Sequence, residues 1–166
     1  MARQLWVLRH AEAEPHGAVA DAVRRLTAHG EDQARIAGAA FARMGATFEL
    51  VLFSPKERAR RTAELVAEQL NGAAAELREH DPLAEGFAAD AALGALDEVG
   101  RDARLLVVGH EPDLSSVVRE LVGGGDVDLK KGGLAVVRLT GVRGELAVLM
   151  RPRELALIAD APILAS

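Results

Sequence analysis

The sequence contains no cysteine, so a disulfide framework, a thiolate metal site and a cysteine nucleophile are all excluded, and nothing in it implies an oxidising compartment. It also lacks any apolar stretch near the roughly 20 residues that a membrane-spanning helix requires. The apolar opening, Met1 to Leu8, is broken at once by Arg9, His10, Glu12 and Glu14, too soon for a signal peptide, and the cytoplasm is the expected location. A basic excess is missing as well. Asp+Glu 25 against Lys+Arg 20 leaves a formal charge of −5, whereas a binder of the nucleic-acid backbone carries surplus cations. Low-complexity tracts, internal repeats, charge blocks and linker-like stretches are also absent.

What remains is the composition of a folded chain: 166 residues, 49% hydrophobic and 27% charged. A globule of this mass buries roughly 70% of its extended-chain surface, enough for one core, so one domain over residues 1–166 is expected. Leu5-Trp6-Val7-Leu8, Leu50-Val51-Leu52-Phe53 and Leu105-Leu106-Val107-Val108 are short continuous apolar runs, as in strands buried on both faces. Helical spacing runs from Thr27, a plausible N-cap, to about Met44. A second helix is signposted by Ser54 as cap, Pro55 at its first position and Glu57 completing a capping box, and stops at Asn71-Gly72 after Leu70. Further helices are expected over about Asp90 to Val99, Pro112 to Val122 and Arg153 to Ala159. Gly123-Gly124-Gly125 is read as a helix stop, because no buried strand precedes it. Residues 134–139 and 145–149, flanking Gly141 and Gly144, give a hairpin signal. The expected fold is a three-layer α/β/α sandwich with a mainly parallel sheet and an antiparallel C-terminal hairpin edge.

In open α/β sheets ligands bind outside the carboxyl ends of the parallel strands. The three buried runs end in Arg9-His10, in Ser54-Pro55 with the helix bearing Arg58, and in Gly109-His110. If those strands are neighbours, two arginines and two histidines converge. Guanidinium forks match phosphoryl oxygens and a neutral imidazole is a competent nucleophile, so the set suits phosphoryl chemistry. No carboxylate cluster at metal-ligand spacing accompanies it, and no metal or other cofactor is expected. Which histidine attacks stays open on the residues alone.

Leu8-Arg9-His10-Ala11-Glu12, Ser54-Pro55-Lys56-Glu57-Arg58-Ala59 and Val108-Gly109-His110-Glu111-Pro112, in that order, resemble the three signatures of the histidine phosphatase (phosphoglycerate mutase-like) superfamily, and the similarity extends through Leu26-Thr27, Gly30 and Gln33-Ala34. The short chain and the Arg-His-Ala-Glu form are most similar to the protein phosphohistidine phosphatases of that superfamily. The resemblance implies that His10 attacks phosphorus and forms a phosphohistidine intermediate, while Arg9, Arg58 and His110 hold phosphoryl oxygens. Ala11 stands where the superfamily commonly has glycine, so the turn after His10 must avoid backbone that only glycine tolerates. Between Pro82 and Arg104 there is room for little beyond one short helix, so the large lid of the mutase branch is not expected. An open site favours phosphate displayed on a protein. Glu85 is the candidate acid, although a phosphorylated imidazole can leave as neutral imidazole without one.

Of the other polar residues, His16, His29 and His80 are read as surface or capping histidines, and Glu12 and Glu14 as part of a solvated loop. Arg60 reads as a surface helix residue, whereas Arg61, one turn from Arg58, is a candidate to border the site. Lys130-Lys131 reads as a solvated approach to the hairpin, with docking of an acidic partner as the sharper reading. The leading function is a metal-independent phosphatase acting on phosphohistidine in proteins. The alternatives are a phosphatase of a small phosphoester and a non-catalytic phospho-recognition module, with neither nucleic acid nor membrane as partner. An ordinary imidazole nucleophile loses activity on the acid side of neutrality, so a profile flat down to pH 5 is not expected.

Overall fold

Strands and helices alternate along the chain, and a computed structural model describes them over residues 2–74 and 76–161. In order they are β1 (Arg3–Arg9), α1 (Ala28–Arg43), β2 (Leu50–Phe53), α2 (Glu57–Gln69), β3 (Leu77–Glu79), α3 (Ala89–Leu96), β4 (Arg104–Gly109), α4 (Asp113–Val122), β5 (Leu134–Thr140), β6 (Arg143–Met150) and α5 (Pro152–Ala159), with 3-10 turns at Asp21–Val23 and Asp81–Leu83.

The strands form one sheet in the order β3-β2-β4-β1-β5-β6. β1, β2, β3 and β4 are parallel, while β5 runs antiparallel to β1 and to β6. The continuous apolar runs have two destinations because side chains alternate across a strand. Leu5, Val7, Leu52 and Val107 face α3 and α4, whereas Trp6, Leu8, Val51 and Val108 face α1, α2 and α5. The result is the α/β/α sandwich with its antiparallel hairpin edge. Trp6 anchors the second face, with Phe41 and Phe48 each meeting it edge-on at 5.2 Å between ring centroids. Burial of each phenylalanine contributes roughly 1.5–3 kcal/mol.

Two glycines let α1 approach its neighbours. A Cβ on Gly30 would lie 1.9 Å from the Glu12 carbonyl oxygen, and one on Gly38 would lie 2.6 Å from that of Val66 in α2. Thr27 caps α1 as expected, its Oγ1 accepting from Gly30 N at 3.0 Å. Helix α4 ends at Gly123 in the left-handed region, and Asn71 and Gly72 take positive φ after α2.

Three expectations need correction. Helix α2 begins at Glu57 and has no side-chain cap. Ser54 lies outside it, buried, and Glu57 turns to Arg60 instead of closing a capping box. Helix α3 stops at Leu96, short of Val99, and the sheet has a further edge strand, β3, whose three residues show no apolar run. The segment between Pro82 and Arg104 holds the eight-residue α3 and no lid.

Candidate active site

Register brings the chemistry together. Arg9 of β1 lies opposite Gly109 of β4, and Phe53 of β2 lies opposite Val108. The chain then leaves all three strands at one level: His10 N donates to Gly109 O at 3.0 Å, and Ser54 N donates to Val108 O at 3.0 Å. His10 and His110 therefore sit side by side, ring centroids 5.1 Å apart, and the start of α2 delivers Arg58 to them.

His10 is 5% exposed and each ring nitrogen has one partner. Nδ1 lies 2.7 Å from the Ala11 carbonyl, which can only accept, while Nε2 lies 3.3 Å from the Nε–H of Arg58, which can only donate. Both contacts require the tautomer with its proton on Nδ1 and its lone pair on Nε2. Burial, with the charges of His110, Arg58 and Arg9 adding to it, pushes the imidazole pKa down to about 3, so the ring is neutral at pH 7. A pKa this low places the protonation of His10, and the fall in activity expected with it on the acid side of neutrality, further into acid. Ala11 takes no positive φ, and its N–H is held by Thr62 Oγ1 at 3.1 Å, which explains why alanine serves here.

His110 is also pushed down to about 3, by burial first and then by Arg58 and Lys56. Its Nε2 meets Ser54 Oγ at 2.7 Å, and the same oxygen accepts from Lys56 N at 3.2 Å. Ser54, the expected helix cap, orients the second histidine instead. The buried atoms without a partner include Arg9 Nε and His110 Nδ1. Arg9 is tied at Nη1 to the Leu129 carbonyl, 3.1 Å away, and burial lowers its pKa, as it does that of Arg58.

Asp21 is the residue that sequence reasoning missed. Its carboxylate gathers Lys56 Nζ at 2.9 Å, Arg24 Nε at 3.0 Å and Arg58 Nη2 at 3.3 Å, with His16 Nδ1 at 3.8 Å, and its carbonyl accepts from Arg58 Nη1 at 2.7 Å. The hydrogen bond from Lys56 is the largest cause holding its carboxyl well below the usual carboxylate range. No motif surrounds Asp21, and only the charge of its neighbours marks it.

The remaining candidates lie elsewhere or act otherwise. Arg61 does not border the site: it binds Glu31 and Glu64, both at 3.3 Å, and ties α2 to α1. Glu85 is exposed on a loop that Asp113 holds through Gly86 N at 2.8 Å. Glu12 and Glu14 are structural, accepting from Thr27 Oγ1 and from Arg25 N. His16 is exposed as read, but His29 and His80 are half-buried, His80 lying edge-on to Phe87. Among the described residues no group of three or more His, Asp and Glu side chains is arranged to hold a metal ion.

Comparison with known proteins identifies the family and the fold. Residues 5–91 match the model of the histidine phosphatase superfamily (branch 1). An uncharacterized protein of Picosynechococcus is 33% identical, over 90% of this chain and 97% of its own. Phosphohistidine phosphatase SixA of Escherichia coli is 35% identical, over 73% of this chain and 75% of its own. The solved structure of a protein histidine phosphatase SixA complexed with tungstate superimposes with a TM-score of 0.81 at 30% identity, covering 92% of this chain and 99% of that one.

Proposed function

Since the chain belongs to the histidine phosphatase superfamily and is a phosphatase, we propose that it removes phosphate from phosphohistidine on proteins, without a metal, through a phosphohistidine intermediate on His10. One observation carries the assignment of the nucleophile: His10 is buried, neutral and locked with its lone pair on Nε2, beside Arg58. Nε2 attacks phosphorus as the bond from phosphorus to the substrate's ring nitrogen breaks. The departing imidazole already carries a proton on its other nitrogen and leaves neutral, which is why the reading needs no acid at Glu85. Water then attacks the phosphoenzyme, releasing inorganic phosphate and restoring His10.

Arg9, Arg58 and His110 stabilise the charge spread over the phosphoryl oxygens in both steps. In this reading Ser54 Oγ, which accepts from Lys56 N, donates its own hydrogen to His110 Nε2, and the proton of His110 then sits on Nδ1 as a donor. Arg9 Nε and His110 Nδ1, buried without partners, are the kind of groups that a phosphoryl oxygen satisfies. The protein substrate is supported by the absence of a lid between Pro82 and Arg104 and by the likeness to the phosphohistidine phosphatase SixA of Escherichia coli and to a solved protein histidine phosphatase SixA. A protein phosphorylated on histidine by phosphoramidate tests the reading, with chelator throughout. Wild type is expected to release phosphate and His10→Ala to release none. Turnover of small phosphoesters alone would replace the protein substrate, and phosphopeptide affinity without turnover would make the site a recognition module.

A further inference from the structure

A cavity of about 630 Å³ opens along the same rim of the sheet, and Arg9 lines it. Topology explains its charge. Because β5 runs antiparallel to β1 and β6 antiparallel to β5, the first residue of β5 and the last of β6 lie at the carboxyl end of β1: Leu134 pairs with Leu8 and Met150 pairs with Leu134. The residues just outside those strand ends are Lys130, Lys131, Arg151 and Arg153. With Arg9 they place five cations on the cavity wall against one carboxylate, Glu12, in a chain whose formal charge is −5.

Internal partners neutralise only part of this. Lys130 pairs with Asp128 at 2.7 Å and Arg151 with Glu154 at 3.1 Å, and Glu12 is engaged by Thr27. The side chains of Lys131 and Arg153 are exposed and have no ion pair or hydrogen bond among the described residues. We propose that this groove docks an acidic segment of the polypeptide that presents phosphohistidine to His10, an inference that rests on the phosphohistidine reading above. A lone small anion needs convergent, buried donors, whereas all of these cations but Arg9 are exposed, and they come from separate segments of chain. Such an arrangement suits an acidic stretch lying across it, and gives specificity and steering to the encounter.

The test uses two peptides bearing one phosphohistidine each, one flanked by glutamates and the other by glutamines, both phosphorylated with phosphoramidate. Wild type is expected to favour the acidic peptide in kcat/KM by roughly fivefold to tenfold, through KM, as two exposed ion pairs allow. Lys131→Glu combined with Arg153→Glu should abolish that preference while leaving turnover of the glutamine peptide unchanged, which also shows the variant folded. Salt of about 0.5 M should shrink the preference in wild type. Equal KM for the two peptides in wild type, or a preference that survives the double substitution, would overturn the docking groove and leave the phosphohistidine reading standing. Hydrolysis of para-nitrophenyl phosphate but of neither peptide would remove the phosphohistidine reading and the groove with it.

Discussion

Mild acid should destabilise this protein through His10 and His110 specifically. Each imidazole has a folded-state pKa of about 3, set first by burial, while an unfolded chain takes up the same protons near the ordinary histidine value of 6.5. A cationic group depressed in the folded state leaves the unfolded chain binding more protons, so the stability it confers is present above pH 6.5 and is lost as pH falls toward 3. Between pH 7 and pH 5 the linkage integral gives about 2 kcal/mol per histidine, or about 4 kcal/mol for the pair. That is a large share of the roughly 5–15 kcal/mol by which domains are stable. Asp21, whose carboxyl is depressed, contributes mainly below this window, so the window isolates the imidazoles. Urea unfolding at pH 7, 6 and 5 measures the slope, with His10→Asn and His110→Asn each expected to remove about half of it. Equal stability of wild type at pH 5 and pH 7 would refute the neutral buried pair, as would an unchanged drop in the double variant.

Other consequences concern single contacts. Ser54→Ala should cost about 1–3 kcal/mol by unpairing His110 Nε2, and turnover should fall about tenfold as that ring loses its orientation. Thermal melts and kcat/KM check both. Asp21→Asn removes the carboxylate that competes for Arg58, Arg24 and Lys56, so inorganic phosphate should inhibit more tightly by roughly threefold to tenfold, and an unchanged inhibition constant would count against that competition. Gly30→Ala should destabilise by about 3 kcal/mol or more because its Cβ meets the Glu12 carbonyl, whereas Gly94→Ala, in open space on α3, should stabilise by about 0.5–1 kcal/mol.

Where a residue's role follows from its own segment, it was legible in the sequence. β1, β2 and β4 announce themselves because a strand buried on both faces must be apolar throughout, and the residues that follow them are then bound to share one rim. The cap at Thr27 and the stop at Gly123 are equally local. Ser54 misled because its surroundings satisfy the pattern of a helix start while its hydroxyl is recruited by His110, which follows β4 and lies 56 positions away along the chain. β3 is too short and too exposed to carry a pattern. Asp21 was invisible for a deeper reason: its partners Lys56 and Arg58 arrive from the cap and first turn of α2, and nothing beside it in the sequence distinguishes it from any exposed aspartate. Arg61 shows the converse, a residue whose helical spacing suggested the site but whose guanidinium is held by Glu31 on α1.

The insertion of β4 between β1 and β2 has a consequence for how activity arises. Leu5 pairs with Leu105 and Leu50 with that same Leu105, so the strand carrying His110 is the last of the three made and the middle one in space. During synthesis a nascent chain holds His10 and Arg58 long before the strand that aligns them exists, and its contacts span about a hundred residues, the pattern of slow, non-local folding. Phosphate release thus reports on a sheet that already includes β4: a prefix of the polypeptide ending before it lacks both His110 and the strand that separates β1 from β2.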